Sequence, residues 1–202
     1  MKRRLFLGGA AALSLTIPAL ASTRPLSLSE ISRYLNGLKN AKGPFTQVNP
    51  DGTLSKGTLY VKLPGRMRFE YTAPNDTLVI VSPSRIAIFD KRSNAGPQQY
   101  PLRKTPLHTI LKKNVNLNES GVVTAHHHDG TYTSITTKNP ENSGFGNLEL
   151  MFTEKPTELR QWIVTNESGQ KTTITLGKLS TKVEIPGRLF DIDRIAKENE
   201  TR

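Results

Sequence analysis

The sequence predicts an α+β fold dominated by β: an antiparallel sheet curled around its own interior, with helices gathered at one side. Three observations lead there. About nine short segments show two-residue apolar alternation or strand-like apolar runs. Turn residues rather than helices separate them, so the strand–helix rhythm of a parallel sheet is missing. Helical spacing is confined to two stretches, one beginning near residue 28 and one near residue 106.

The first residues stand apart from the fold. Lys2, Arg3 and Arg4 precede an apolar run from Leu5 to Ile17, and Ala19-Leu20-Ala21 follows. A basic start, a short apolar run and an A-x-A site describe a secretory signal peptide, residues 1–21, cleaved after Ala21. The run falls short of the roughly 20 residues that span a bilayer. Its RRLFL string also resembles a twin-arginine signal, so the Sec and twin-arginine routes both stay open. Residues 22–202 then form a single domain, long enough for a real core.

The whole chain has 28 Lys and Arg against 17 Asp and Glu. Removing the leader's three cations leaves a net charge of about +8. Such a balance suits anionic partners. The cations are spread out, with adjacent pairs such as Lys91-Arg92 and Lys112-Lys113, and no aromatic-interleaved basic motif points to nucleic acid. There are no cysteines. Disulfides, thiolate metal sites, cysteine nucleophiles and a lipid-modified cysteine anchor are therefore excluded.

Ser27 and Glu30 have capping-box spacing. Leu28, Ile31, Leu35 and Leu38 follow at helical intervals, which predicts an amphipathic helix over 28–38. Next, 58–62 alternates Leu59 and Val61 against polar residues. RMRFEY at 66–71 alternates Met67, Phe69 and Tyr71 against Arg66, Arg68 and Glu70. A three-residue Leu63-Pro64-Gly65 loop with Gly65 left-handed puts the five apolar residues on one face. Leu78-Val79-Ile80-Val81 is apolar on both faces, and 86–89 returns after Pro83-Ser84.

Thr105-Pro106 starts a second helix over 106–112, with Leu107, Ile110 and Leu111 as its stripe. Asp129-Gly130 joins strands 122–127 and 131–136. Leu148, Leu150 and Phe152 alternate along another strand, and 159–165 pairs with 171–176 around Asn166-Glu167-Ser168-Gly169.

Chemistry-bearing motifs are sparse. No G-x-S-x-G, Walker A or G-x-G-x-x-G string occurs, which argues against an enzyme. His126 and His128 share a strand face and are the residues to weigh as metal ligands, although a solvated strand end accounts for them as well. The Met67–Phe69–Tyr71 face fits either a packed core or a cavity for an apolar ligand, and periodicity does not choose between them.

Several motifs together resemble the outer-membrane lipoprotein carrier family, LolA. They are Gly43-Pro44-Phe45-Thr46-Gln47, Gly57-Thr58-Leu59-Tyr60, and Pro64 to Tyr71 with Pro74 behind it. Thr105-Pro106-Leu107 before Ile110-Leu111, Leu159-Arg160-Gln161-Trp162, and Ser168 to Thr173 complete the set. The likeness runs from the first helix to about Phe190.

The resemblance implies an incomplete, strongly curved antiparallel β-barrel with a helical lid on its concave side. It implies a soluble, monomeric, non-enzymatic periplasmic carrier, without cofactor, metal or nucleic acid. Such a carrier shields lipoprotein acyl chains between inner and outer membrane. Its partners are an inner-membrane extractor and an outer-membrane acceptor lipoprotein. Lipid would contact Leu59, Val61, Met67, Phe69, Tyr71, Leu78, Ile80, Ile88, Leu150 and Phe152.

Leu28, Ile31, Leu35, Leu107, Ile110 and Leu111 would form the underside of the lid. Many relatives carry Arg before this Pro, where it bonds the lid. Here the position is Leu63, which offers only apolar contact, so a looser lid is expected unless Arg66 or Arg68 takes over as the latch. A carrier of another amphiphile, such as a glycolipid or acylated metabolite, fits the same features. So does an envelope protein-interaction module with a filled barrel.

Overall fold

A computed structural model of the chain describes residues 24–90, 96–141 and 143–200. The signal peptide expected at 1–21 lies outside the described residues. Eleven strands form one antiparallel sheet: β1 Asn40–Val48, β2 Leu54–Lys62, β3 Arg66–Tyr71, β4 Thr77–Val81, β5 Arg85–Asp90, β6 Gln98–Pro101, β7 Val123–His128, β8 Thr133–Thr137, β9 Asn147–Glu154, β10 Thr157–Thr165 and β11 Lys171–Leu176. Their spatial order is β6-β5-β4-β3-β2-β1-β11-β10-β9-β8-β7. The chain thus starts mid-sheet, walks out to one edge at β6, crosses to the other edge at β7, and walks back to pair β11 with β1. The two edges do not pair with each other, so the sheet is not closed.

The sheet is curled. Four inter-strand steps separate β3 from β10, which is about 19 Å in a flat sheet. Yet the Phe69 and Trp162 rings on those strands meet edge to face at 6.3 Å. The apolar residues of the concave face, from Val81 on β4 to Ile135 on β8, belong to one buried cluster.

Local chemistry explains the register. Lys62 pairs with Arg66 across Leu63-Pro64-Gly65, with Gly65 at φ +73°, as the three-residue loop requires. Leu59 then faces Phe69 and Val61 faces Met67. Gly57 is needed for another reason: a Cβ there would run into the Glu70 carbonyl and the Phe45 ring. The β7–β8 turn is longer than a two-residue hairpin. His128 pairs with Thr133, and the Asp129 carboxylate accepts from the Thr131 and Tyr132 amides at 2.8 and 2.7 Å.

Helix α1, Leu28–Gly37, begins with the full capping box between Ser27 and Glu30. It buries Ile31, Ser32 and Leu35 against the concave face. The second helix is shorter than the spacing suggests. Helix α2 covers His108–Leu111 only, because the Thr105 hydroxyl donates to the Leu102 carbonyl at 2.8 Å and closes a preceding 3-10 turn, Leu102–Lys104. Both elements belong to the crossing segment 102–122, which spans from one sheet edge to the other over the concave face.

Three elements go beyond the sequence expectation: β1, β6 and a C-terminal helix α3, Ile192–Glu200. Helix α3 and the 3-10 turn Gly187–Phe190 pack on the convex side. There Ile185, Phe190, Ile192 and Ile195 form a second cluster with Leu78, Ile80, Ala87 and Phe89. Arg85 reaches both carboxylate oxygens of Asp193 at 2.7 Å.

Candidate functional site: a roofed apolar interior

The concave face is floored by aromatic rings. Phe45 meets Phe69 at 5.4 Å and Tyr71 at 5.1 Å, both edge to face. Tyr34 of α1 stands edge-on to Phe152 at 5.8 Å. Such contacts add about 0.5–1.5 kcal/mol per pair beyond simple burial. The Tyr71 hydroxyl donates to Gln47 Oε1 at 2.6 Å, and burial pushes its phenol up to about 12.

Most of the expected lining lies together. Leu59, Val61, Met67, Phe69, Leu150 and Phe152 are buried in the interior cluster, and Tyr71 and Ile88 pack half-buried against it. Leu78 and Ile80 do not join them. Phe69 faces Val79 and Met67 faces Val81, so strand alternation turns Leu78 and Ile80 to the convex side, under the C-terminal segment. The sequence run was apolar on both faces, and only register decides between them.

Over this face, Ile31, Leu35, Ile110 and Leu111 are buried in the interior cluster, with Leu28 and Leu107 half-buried beside it. The crossing segment adds Leu102, Val115 and Leu117, which the sequence reading did not single out. Phe45 and Trp162 were read as motif residues only, yet they are central to the floor.

The latch residues are placed differently. Leu63 packs half-buried against the interior cluster, adding an apolar contact. Arg68 points to the convex side, where it bonds Glu70 at 2.7 Å and the Leu189 carbonyl at 2.9 Å. Arg66 alternates with Met67 and shares that outward face, so neither arginine faces α1.

Other polar groups fasten the roof. Asn36 donates to the Val115 carbonyl at 2.9 Å and accepts from the Val115 amide at 2.8 Å. Ser32 Oγ accepts from the Leu117 amide at 3.0 Å, and the Tyr34 hydroxyl accepts from the Leu159 amide at 3.1 Å. The Leu26 amide donates to Thr133 at 3.0 Å.

His126 and His128 do not act as a pair. His126 Nε2 sits 2.9 Å from the Leu26 carbonyl. His128 Nδ1 faces Glu154 Oε1 at 2.9 Å and the Tyr132 carbonyl at 3.1 Å, two acceptors that assign it the proton. Among the described residues, no group of three or more His, Asp or Glu side chains is placed to hold a metal ion.

Beside the roof a cavity of about 210 Å³ opens, with Tyr34, Pro156, Glu158, Leu159, Arg160 and Leu179 among its lining residues. It exceeds the roughly 150 Å³ of an apolar cavity that admits benzene.

A curled, unclosed antiparallel sheet whose apolar concave face is roofed by a helix and a crossing segment defines the unclosed-barrel class. Comparison with known proteins narrows the class to one family. The sequence profile of the outer membrane lipoprotein carrier protein LolA matches residues 36–193, and the chain belongs to that family. An outer-membrane lipoprotein carrier protein of Cupriavidus pinatubonensis is 23% identical over 94% of this chain and 94% of its own. One from Cupriavidus necator is 28% identical over 46% of this chain and 48% of its own. Among solved structures, a DUF1329 family protein from Desulfovibrio piger shares the fold at TM-score 0.51 and 8% identity, covering 83% of this chain and 95% of that one. Among the described residues, no helix is long and apolar enough to cross a membrane.

Proposed function

We propose that this protein is an exported, monomeric carrier that shields lipoprotein acyl chains in the periplasm. It takes them from an inner-membrane extractor and yields them to an outer-membrane acceptor. The observation that carries this reading is the roofed interior itself. One continuous apolar face, floored by rings and covered by α1 and segment 102–122, is held shut by a few separable hydrogen bonds.

Opening the roof exposes apolar surface on both sides, and acyl chains restore its burial. Each buried methylene contributes about 0.8 kcal/mol, so two or three chains offset the work of parting roof from floor without covalent chemistry. The cavity beside Tyr34 adjoins the Tyr34–Leu159 hydrogen bond between α1 and β10, and in this reading opening begins with the loss of that bond.

A second reading is favoured by one observation: the interior side chains are packed, with Ile31, Leu148, Leu150 and Phe152 fully buried. A filled interior suits an envelope protein-interaction module. One experiment separates the two readings. Native mass spectrometry of protein purified from the periplasm should find a triacylated lipoprotein bound. An environment-sensitive acyl probe should be displaced by that lipoprotein and not by its unacylated polypeptide. Displacement by the unacylated polypeptide would establish the interaction module, and co-purified glycolipid would identify another amphiphile as cargo.

A further inference from the structure

The outer side of the roof carries a charge pattern that cargo shielding does not use. From residue 91 to residue 118 the sequence contains no Asp or Glu. Arg103 and Lys104 lie within the 3-10 turn of the crossing segment, and Lys112-Lys113 follow directly on α2, which packs against that turn. Arg103, Lys104 and Lys113 are exposed and Lys112 is half-exposed, while Leu102, Ile110 and Leu111 of the same segment are buried in the interior. No ion pair engages these four cations among the described residues. By contrast Arg24, Arg68, Arg85, Arg160 and Arg194 each hold a carboxylate.

One acid, Glu141, acts on His108 within this segment and raises its pKa, but burial and Lys112 outweigh it and lower the His108 pKa. Tyr100, at the end of edge strand β6, lies exposed two residues before Leu102. Two lysines of the sheet are differently placed. Lys42 covers the Tyr60 ring and Lys62 donates to the Ile185 carbonyl, so both are engaged on the convex side.

We propose that this outer roof face, Tyr100 with Arg103, Lys104, Lys112 and Lys113, docks on an anionic phospholipid surface. Three features favour a lipid surface over an acidic protein. Three of the four cations are lysines, compact point charges on flexible stems that suit mobile headgroups rather than a fixed fork geometry. They stand on exposed turns. An exposed tyrosine sits beside them, an amphipathic ring suited to the headgroup level. Docking would place the roof between membrane and interior, so that the element which must move is the one in contact with the bilayer. The assignment stands apart from what the interior holds.

The test is flotation of the purified mature protein with vesicles of phosphatidylcholine alone or with about 30% phosphatidylglycerol, at low and high salt. Binding should require the anionic lipid and be lost at high salt. Each of Arg103→Gln, Lys104→Gln, Lys112→Gln and Lys113→Gln should lower partitioning about fivefold, from roughly 1 kcal/mol per cation at such a surface. Tyr100→Ala should weaken it further at fixed charge. A control with Lys171→Gln and Lys178→Gln, exposed near β11, removes charge away from the roof and should leave binding within twofold of wild type. Failure of wild type to float with anionic vesicles overturns the proposal. An equal loss in the control also overturns it, because net charge alone would then be responsible. The acyl probe, read in parallel, should bind all variants equally, which separates a failed docking surface from a failed cargo site.

Discussion

Asn36→Ala should loosen the roof without loosening the sheet. The Asn36 side chain makes two hydrogen bonds to the backbone of Val115, a buried residue, at 2.9 and 2.8 Å. Each contributes about 0.5–1.5 kcal/mol net, and their loss leaves a buried amide and carbonyl short of partners, so the closed roof loses about 2–3 kcal/mol. Alanine is the better helix former by about 0.6 kcal/mol, which leaves about 1.5–2.5 kcal/mol. That corresponds to a roughly tenfold to seventyfold rise in the open population.

Amide hydrogen exchange reads it directly. Exchange in α1 and in 112–118 should accelerate by that factor, while β2, β3 and β10 keep their protection. Asn36→Asp keeps the acceptor for the Val115 amide but sets a carboxylate against its carbonyl, and should fall between wild type and alanine. Equal loss of protection in β2 and β10 would refute the reasoning, since the clamp would then belong to the global fold. Unchanged exchange in α1 would refute it as well.

Other substitutions probe the layers beneath. Phe69→Ala removes a ring that meets Phe45 and approaches Trp162, and should cost about 3–5 kcal/mol in urea unfolding, whereas Leu54→Ala at the exposed β1–β2 tip should stay within about 0.5. Truncation after Pro186 uncovers Leu78, Ile80 and Phe89, and should produce aggregation measurable by light scattering. At high pH the sign follows from Tyr71. Its folded pKa is raised from 10.0 to about 12, so its contribution to stability is complete below about 10 and is lost as pH rises toward 12. In an ultraviolet absorbance titration the Tyr71 phenol should ionise late, as should Tyr34, which burial also raises, and Tyr71→Phe should shrink that late step.

The elements legible in the sequence are those with an unambiguous local signal. Ser27 and Glu30 set the start of α1, and Leu63-Pro64-Gly65 set the β2–β3 register and so the shared face of five apolar residues. Strand β1 hid behind Gly43 and Pro44. Proline is tolerated there because β11 pairing begins only at Phe45, and the Pro44 carbonyl still accepts from Gly177. Strand β6, Gln-Gln-Tyr-Pro, is exposed throughout, so no burial imposes a pattern on it. The face of Leu78 and Ile80 was not legible because burial on both sides erases alternation. Helix α3 had a readable signal in Ile192, Ile195 and the Asp191 cap, whose carboxylate accepts from the Arg194 amide at 3.1 Å. Its role as a cover for β4 and β5 did not follow from that spacing.

The backing of β3 to β5 by the C-terminal segment makes the curled sheet mechanically unequal along its width. On that side β4 is the middle of three layers, gripped from within by Val79 and Val81 and from behind by Leu78 and Ile80. Beyond β1 the outer faces of β8 to β10 carry Ser134, Thr136, Glu149 and Gln161, with no second layer over them among the described residues. A splinted wall resists bending because any flexure shears two packed interfaces at once. Any expansion of the interior would meet less resistance in the single-layer half, where the Tyr34–Leu159 hydrogen bond lies beside the cavity. One side of the curled sheet is thus a laminate and the other a single ply, and residues 185–195 determine which side is which.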